Sequence, residues 1–321
     1  MSVAIATDLH IVTGKGGTGK TTVAAALAMA LAGDGRKVLL CEVEGRQGIA
    51  QLFDVAPLPY EERKIAVGPG GGEVHALAID PESALLEYLQ MYYRLGRAGR
   101  ALDRFGIIDF ATTIAPGVRD VLLTGKVYEA AKRRSGDQFT YDAVVMDAPP
   151  TGRITRFLNV NSELAGLAKV GPIRRQADAI MQMMRAPSTH IHLVTVLEEM
   201  PVTETIDAIA ELGTEKLPVS HVAVNLIQPD LLTTSTRDAL INGSLDTETV
   251  GAALERVGLP PDAAGSLIDG GMDAAHRATL QTDNRAELAD CGRPVVELAR
   301  RPDGIDLGAL YEMAEQLGDL T

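Results

Sequence analysis

The chain has 321 residues, 46% of them apolar, enough to bury a sizeable core, and a formal net charge of −13. Aromatic residues make up 4% and tryptophan is absent, so a base-stacking platform is not expected, and the acidic balance opposes the counterion displacement that drives nucleic-acid binding. Two cysteines, Cys41 and Cys291, exclude both a disulfide framework and a four-thiolate metal site within one chain.

The opening stretch "MSVAIATDLHIVT" lacks the basic start of a secretory signal, and the longest apolar run, "VAAALAMALAG" from Val23, is too short to cross a bilayer. Two free thiols suit a reducing compartment, so a cytoplasmic protein is expected. In chain order, strand-like runs recur between helical stretches: "LHIVT" from Leu9, "KVLLC" from Lys37, "VHALAI" from Val74, "AVVMD" from Ala143, "IHLVTVL" from Ile191, "HVAVNLI" from His221 and "VVELA" from Val295. They are short, β-branched and apolar on both faces, which predicts parallel strands covered by helices on either side. The fold class expected is therefore α/β, a doubly wound and mostly parallel sheet.

Three regions interrupt this rhythm. Residues 56–73, with "PLP" and "GPGGGE", read as a loop. Residues 82–135 read as helices, with Leu85, Leu89 and Tyr92 on one face and breaks at Gly106 and at the "APG" of Ala115. Arg94, Arg97, Arg100 and Arg104 form a basic stripe at helical spacing, a solvated face by default and otherwise a contact for an acidic partner or lipid headgroups. Residues 161–187 carry a second helical insert, and residues 229–290 are acidic and irregular or helical. The expectation is one domain over 1–321 whose inserts form a helical subdomain at one sheet edge.

"GKGGTGKT", Gly14 to Thr21, fits the phosphate-loop pattern G-x-x-x-x-G-K-[ST], between a strand and the helix-compatible "TTVAAALAMALAG". Gly14, Gly16, Gly17, Thr18 and Gly19 would turn successive N–H groups toward phosphate oxygens, with the helix start at Thr21 and Thr22 adding its dipole. Lys20 would span the β- and γ-phosphates of ATP, and the Thr21 hydroxyl would ligate Mg²⁺. A Walker B aspartate is expected at Asp147, where an apolar strand ends.

The second lysine of the loop, Lys15, gives the deviant form "KGGxGKT". With it the chain resembles the deviant Walker ATPases, P-loop NTPases of the SIMIBI type that include ParA, MinD and ArsA. The resemblance implies that Lys15 reaches across a dimer interface to the partner's nucleotide, a catalytic cation supplied in trans. "YDAVVMDAPPTGRITRFL", Tyr141 to Leu158, narrows it to the arsenite-pump and guided-entry (ArsA/Get) branch, whose segment reads D-T-A-P-T-G-H-T-L-R-F-L. By that resemblance Asp147 holds a Mg²⁺-bound water and Gly152 lies where a γ-phosphate orders the loop. Arg153 stands where histidine is usual. "LEEMPVTET", Leu197 to Thr205, is similar to a further family segment. Asn225 falls at the adenine-binding position, and Pro302, in "LARRPDG", is the expected contact of the loop that closes over the base.

The branch carries D-P-A-H after its second strand, where this chain has "CEVEGRQG". Glu44 then takes the water-positioning aspartate's place, and Glu42 an acidic position seen in ParA-like relatives. A glutamate is one methylene longer, so turnover by this subunit alone is in question. The zinc CxxC of guided-entry ATPases and the three metalloid cysteines of arsenite pumps are missing. The resemblance implies a homodimer, or a heterodimer with a paralogous ATPase subunit, and a membrane-protein client or membrane partner. "ADAIMQMM" puts Ile180, Met183 and Met184 on one helical face, for a client groove or for ordinary packing.

Overall fold

The computed structural model describes residues 7–93, 116–167 and 172–318. Strand β1 (Asp8–Gly14) leads into helix α1 (Lys20–Leu31), and β2 (Lys37–Glu42) into α2 (Gly48–Leu52). β3 (Arg63–Val67), β4 (Glu73–Ala78), α3 (Pro81–Tyr93) and α4 (Pro116–Lys132) follow. A short hairpin of β5 (Arg134–Ser135) and β6 (Gln138–Phe139) precedes β7 (Ala143–Asp147), α5 (Thr151–Leu167) and α6 (Pro172–Met184). The chain continues through β8 (Thr189–Thr195), α7 (Glu199–Thr214), β9 (Val219–Ile227), α8 (Thr234–Ile241), α9 (Thr247–Arg256) and α10 (Ala264–Ala289) to β10 (Val295–Ala299) and α11 (Leu307–Leu317).

Eight strands form one sheet in the order β10-β9-β8-β1-β7-β2-β4-β3, parallel except that β3 runs antiparallel to β4. Alternation along each strand divides the core. Leu9, Ile11, Leu39, Met146 and Ile191 lie under α4 to α7, while Val12, Leu40, Val145 and Val194 lie under α1 and α11. Helix α1 is apolar all round because it is enclosed all round, by the sheet on one side and α11 on another. The expected doubly wound sheet is the observed one.

Residues 56–73 are not all loop: they contain β3. None of its residues is fully buried and its pairing with β4 shifts register between Lys64 and Ala66; its apolar run is only "IAV", in which Ile65 and Ala66 pack partly against the core. The helical stretch expected to 135 gives way at Arg134 to the hairpin, and α5 begins at Thr151, ten residues ahead of the expected insert. Ile180, Met183 and Met184 are buried in the core, so that face is used for packing and offers no client groove. Arg94, Arg97, Arg100, Arg104 and Gly106 lie outside the described residues. Among the described residues no helix is long and apolar enough to cross a membrane.

Four of the chain's six histidines meet across three strands. His10 faces His190 and His192, and His192 faces His221, with ring centroids 5.0–5.6 Å apart. His10 Nδ1 and His192 Nε2 share one hydrogen bond at 3.0 Å, and among the described residues His192 Nδ1 has no partner. Burial first, then neighbouring imidazoles, holds His10 well below the ordinary 6.5 and His192 at about 3. The unfolded chain takes up these protons below pH 6.5 and the folded chain refuses them. Stability is therefore lost as pH falls below about 6.5, His192 alone costing about 2 kcal/mol by pH 5 and His10 acting in the same direction. Denaturant midpoints should fall between pH 7 and pH 5, and His192→Leu should flatten that slope. An unchanged slope would clear the array of the effect.

Candidate functional site

The carboxyl ends of β1, β2, β7 and β8 meet at one edge of the sheet, and there the loop from Gly14 to Thr21 turns over it. Gly14 lies opposite Val194, and a Cβ on it would stand 2.0 Å from the Val194 carbonyl oxygen, so only glycine lets β1 and β8 close here. Gly19 precedes α1 with φ 85°, and a Cβ on it would lie 2.3 Å from Asn225 Nδ2. The bend is closed internally: the Thr18 hydroxyl and N–H both donate to the Lys15 carbonyl, at 2.9 and 3.4 Å. Gly16 and Gly17 face open space. The Val23 N–H donates to the carbonyl of Gly19, the residue before α1, and among the described residues no side chain caps the helix, so the earlier N–H groups of its first turn remain for an outside acceptor.

Behind this loop stands a set of hard donors. The Thr21 hydroxyl donates to Asp147 Oδ2 at 2.7 Å, at the end of β7 and the start of α1. Burial raises the Asp147 carboxyl to about 6; the Thr21 hydrogen bond and the Lys20 charge oppose the rise, and Glu42 and Glu44 add to it. Lys20 is buried to 8% exposure, and that burial lowers its pKa against the pull of Asp147 and Glu44. A hydroxyl beside a carboxylate next to a buried ammonium is the donor set Mg²⁺ and phosphate require, so the residues present fit both.

The two glutamates after β2 have separate tasks. Glu42 is buried and accepts from the N–H groups of Gln47 and Ile49, fixing a loop whose Gln47 sits at φ 58° before α2. Glu42→Ala strands both donors and should cost about 1–3 kcal/mol in chemical denaturation. A neutral result would mean that water replaces the carboxylate. Glu44 stays partly open, 3.6 Å from Arg46 Nη2. A cavity of about 200 Å³ opens beside it, lined also by Arg119, Asp120 and Arg153. Arg153 Nη2 is 3.8 Å from Asp120 Oδ1, linking α5 to α4.

The expected site residues fall into two groups. Gly14, Lys15, Gly16, Gly17, Thr18, Gly19, Lys20, Thr21, Thr22, Glu44, Asp147 and Gly152 gather at the carboxyl edge around β1, β2 and β7, with Gly152 in the first turn of α5. Asn225 ends the buried part of β9 and donates to the Thr18 carbonyl at 2.9 Å, so it also braces the loop. Pro302 lies in an exposed turn beyond β10, beside β9. Contacts that the sequence does not announce are Glu42 as a loop clamp, Thr13, whose hydroxyl donates to the Pro149 carbonyl at 2.6 Å, and Glu204, 2.6 Å from Lys15 Nζ. Glu204 lies within "LEEMPVTET", and that segment was its one signal.

A glycine loop between the first strand and helix of a doubly wound parallel sheet, with a strand-end aspartate behind it, defines a P-loop NTPase fold. Within that class, the family model of the anion-transporting ATPases matches residues 7–189, more than half of the chain, and this chain belongs to that family. It is similar to the ATPase BagA of Mycobacterium tuberculosis, at 52% identity over 313 residues, 96% of this chain and 92% of the relative. It is 25% identical over 252 residues to the ATPase get3 of Schizosaccharomyces japonicus, covering 68% of this chain and 74% of that one. It is likewise 25% identical over 284 residues to the arsenical pump-driving ATPase of Escherichia coli, covering 80% and 45%. The resemblance drawn from the motifs alone is thus the family found.

Proposed function

We propose that this chain is a cytoplasmic Mg²⁺-dependent ATPase of the ArsA/Get type that closes face to face with a second copy. Its nucleotide state would govern that closure and the binding of a client or membrane partner. The observation that carries the reading is the Thr21–Asp147 contact of 2.7 Å beside the buried Lys20, next to a glycine loop in which a Cβ on Gly16 or Gly17 would meet no neighbour. Amides from Gly14 to Thr22 and the Lys20 ammonium would hold the phosphates, and Gly152 would answer to the γ-phosphate. Thr21 and Asp147 would hold Mg²⁺, which neutralises and orients the phosphates when bound. Asn225 and Pro302 would border the base, and Glu44 would position water. Lys15 would serve the second copy's nucleotide.

A second reading is favoured by one contact: Glu44, already the longer residue for its task, leans toward Arg46 at 3.6 Å. On that reading the chain is a nucleotide-binding subunit that does not turn over, paired with a related ATPase. A single-turnover assay separates the two. ADP formed above a Lys20→Ala control supports the enzyme, and ATP bound without ADP supports the regulatory subunit. Glu44→Asp should hold or raise the rate, whereas indifference to Glu44→Ala would remove Glu44 from the chemistry. Arsenite pumping is not proposed: the chain has two cysteines, and Cys41 is fully buried with its thiol pushed far up by that burial.

A further inference from the structure

The geometry points to Glu204 as a positioning residue that keeps Lys15 in its own protomer until a second copy's nucleotide takes it; this rests on the nucleotide reading above. Lys15 Nζ stands 2.6 Å from Glu204 Oε1 across 189 residues of sequence. The other carboxylate oxygen, Oε2, accepts from the Thr151 hydroxyl at 3.4 Å. Glu204 lies on α7 after β8, and Thr151 opens α5 four residues after Asp147. One carboxylate therefore holds both the loop lysine and the segment that follows the metal-type aspartate. Among the described residues Lys15 has no other ion partner.

The lysine cannot stay on Glu204 and also reach another protomer's phosphates. Closure must break the contact once in each copy. With side chains 31% and 36% exposed, the pair is solvated enough to open without stranding a buried charge. Thr151, by contrast, is buried, so a shift of α5 withdraws a neutral donor from the same carboxylate and loosens its hold. The arrangement makes Lys15 unavailable in a lone protomer and releases it when the segment after Asp147 moves.

An exposed pair of this kind biases an equilibrium by about 1.4- to 5-fold, and two pairs open per dimer, so removing them should tighten association about 2- to 30-fold. The test is sedimentation equilibrium with Mg²⁺ and a non-hydrolysable ATP analogue, on wild type, Glu204→Gln, Glu204→Asp, Lys15→Ala and the Lys15→Ala/Glu204→Gln double variant. Glu204→Gln should dimerise more tightly than wild type and Glu204→Asp close to it. On the Lys15→Ala background the Gln change should add nothing. Equal dimer constants for wild type and Glu204→Gln, or an equal gain without Lys15, would overturn the proposal. A calorimetric titration of the same samples locates any failure. Wild type that binds nucleotide yet never associates overturns the positioning role together with the face-to-face closure and leaves nucleotide binding standing, whereas wild type that binds none overturns the nucleotide reading as well.

Discussion

Lys15→Ala is expected to slow ATP turnover by about a thousandfold while leaving nucleotide binding nearly intact. A cation at the transferring phosphoryl group acts mainly in the transition state, and one delivered from outside the phosphate loop is worth that much in related chemistry. The position of Lys15 agrees with such a role. Its ammonium is drawn to Glu204, its side chain is part-exposed, and its carbonyl alone serves the loop, accepting from Thr18. Truncation therefore leaves the bend closed. Multiple-turnover kinetics beside an equilibrium titration would read the split between rate and affinity. Loss of binding in Lys15→Ala would instead mean that the lysine acts on its own nucleotide.

Lys20→Ala should show the opposite split, with affinity for Mg·ATP falling about 10- to 150-fold, since one hydrogen bond to a charged group is worth about 1.5–3 kcal/mol. This ammonium is buried, and the charges of Asp147 and Glu44 oppose the lowering that burial imposes on it. Its removal leaves two carboxylates facing the space where an anion would sit, so electrostatic repulsion adds to the lost hydrogen bonds. Calorimetry with ATP and Mg²⁺ checks this directly. An affinity equal to wild type would mean that the triphosphate is held elsewhere.

The central strands were legible because burial on both faces forces continuous apolar runs. "AVVMD" matches β7 residue for residue, and all five of its residues are buried. β3 was not legible, since its apolar run is only three residues, Ile65 to Val67, following two basic ones. The phosphate loop declared itself by spacing, because its geometry demands glycine at fixed offsets, as the close approaches at Gly14 and Gly19 show. What surrounds the loop was hidden for a different reason. The hold of Glu204 on Lys15, the brace of Asn225 on Thr18 and the histidine array depend on which strands lie side by side. That order follows from crossovers and not from local sequence. Glu42 and Glu44 had separate places by resemblance, but the clamp made by Glu42 was not legible: β2 ends at Glu42, which turns inward to the Gln47 and Ile49 amides, and Glu44 lies beyond the strand at the open edge.

The central claim is that each copy binds ATP in its own loop and lends Lys15 to the other. Mixing Lys15→Ala with Lys20→Ala protein, at an ATP concentration that fills the first and leaves the second largely empty, tests it most directly, because the first binds ATP but lends no lysine and the second lends a lysine to a nucleotide it does not itself hold. The account predicts that the mixture hydrolyses ATP although neither variant does so alone. A mixture as inactive as its two components, under conditions where wild type turns over, would contradict it.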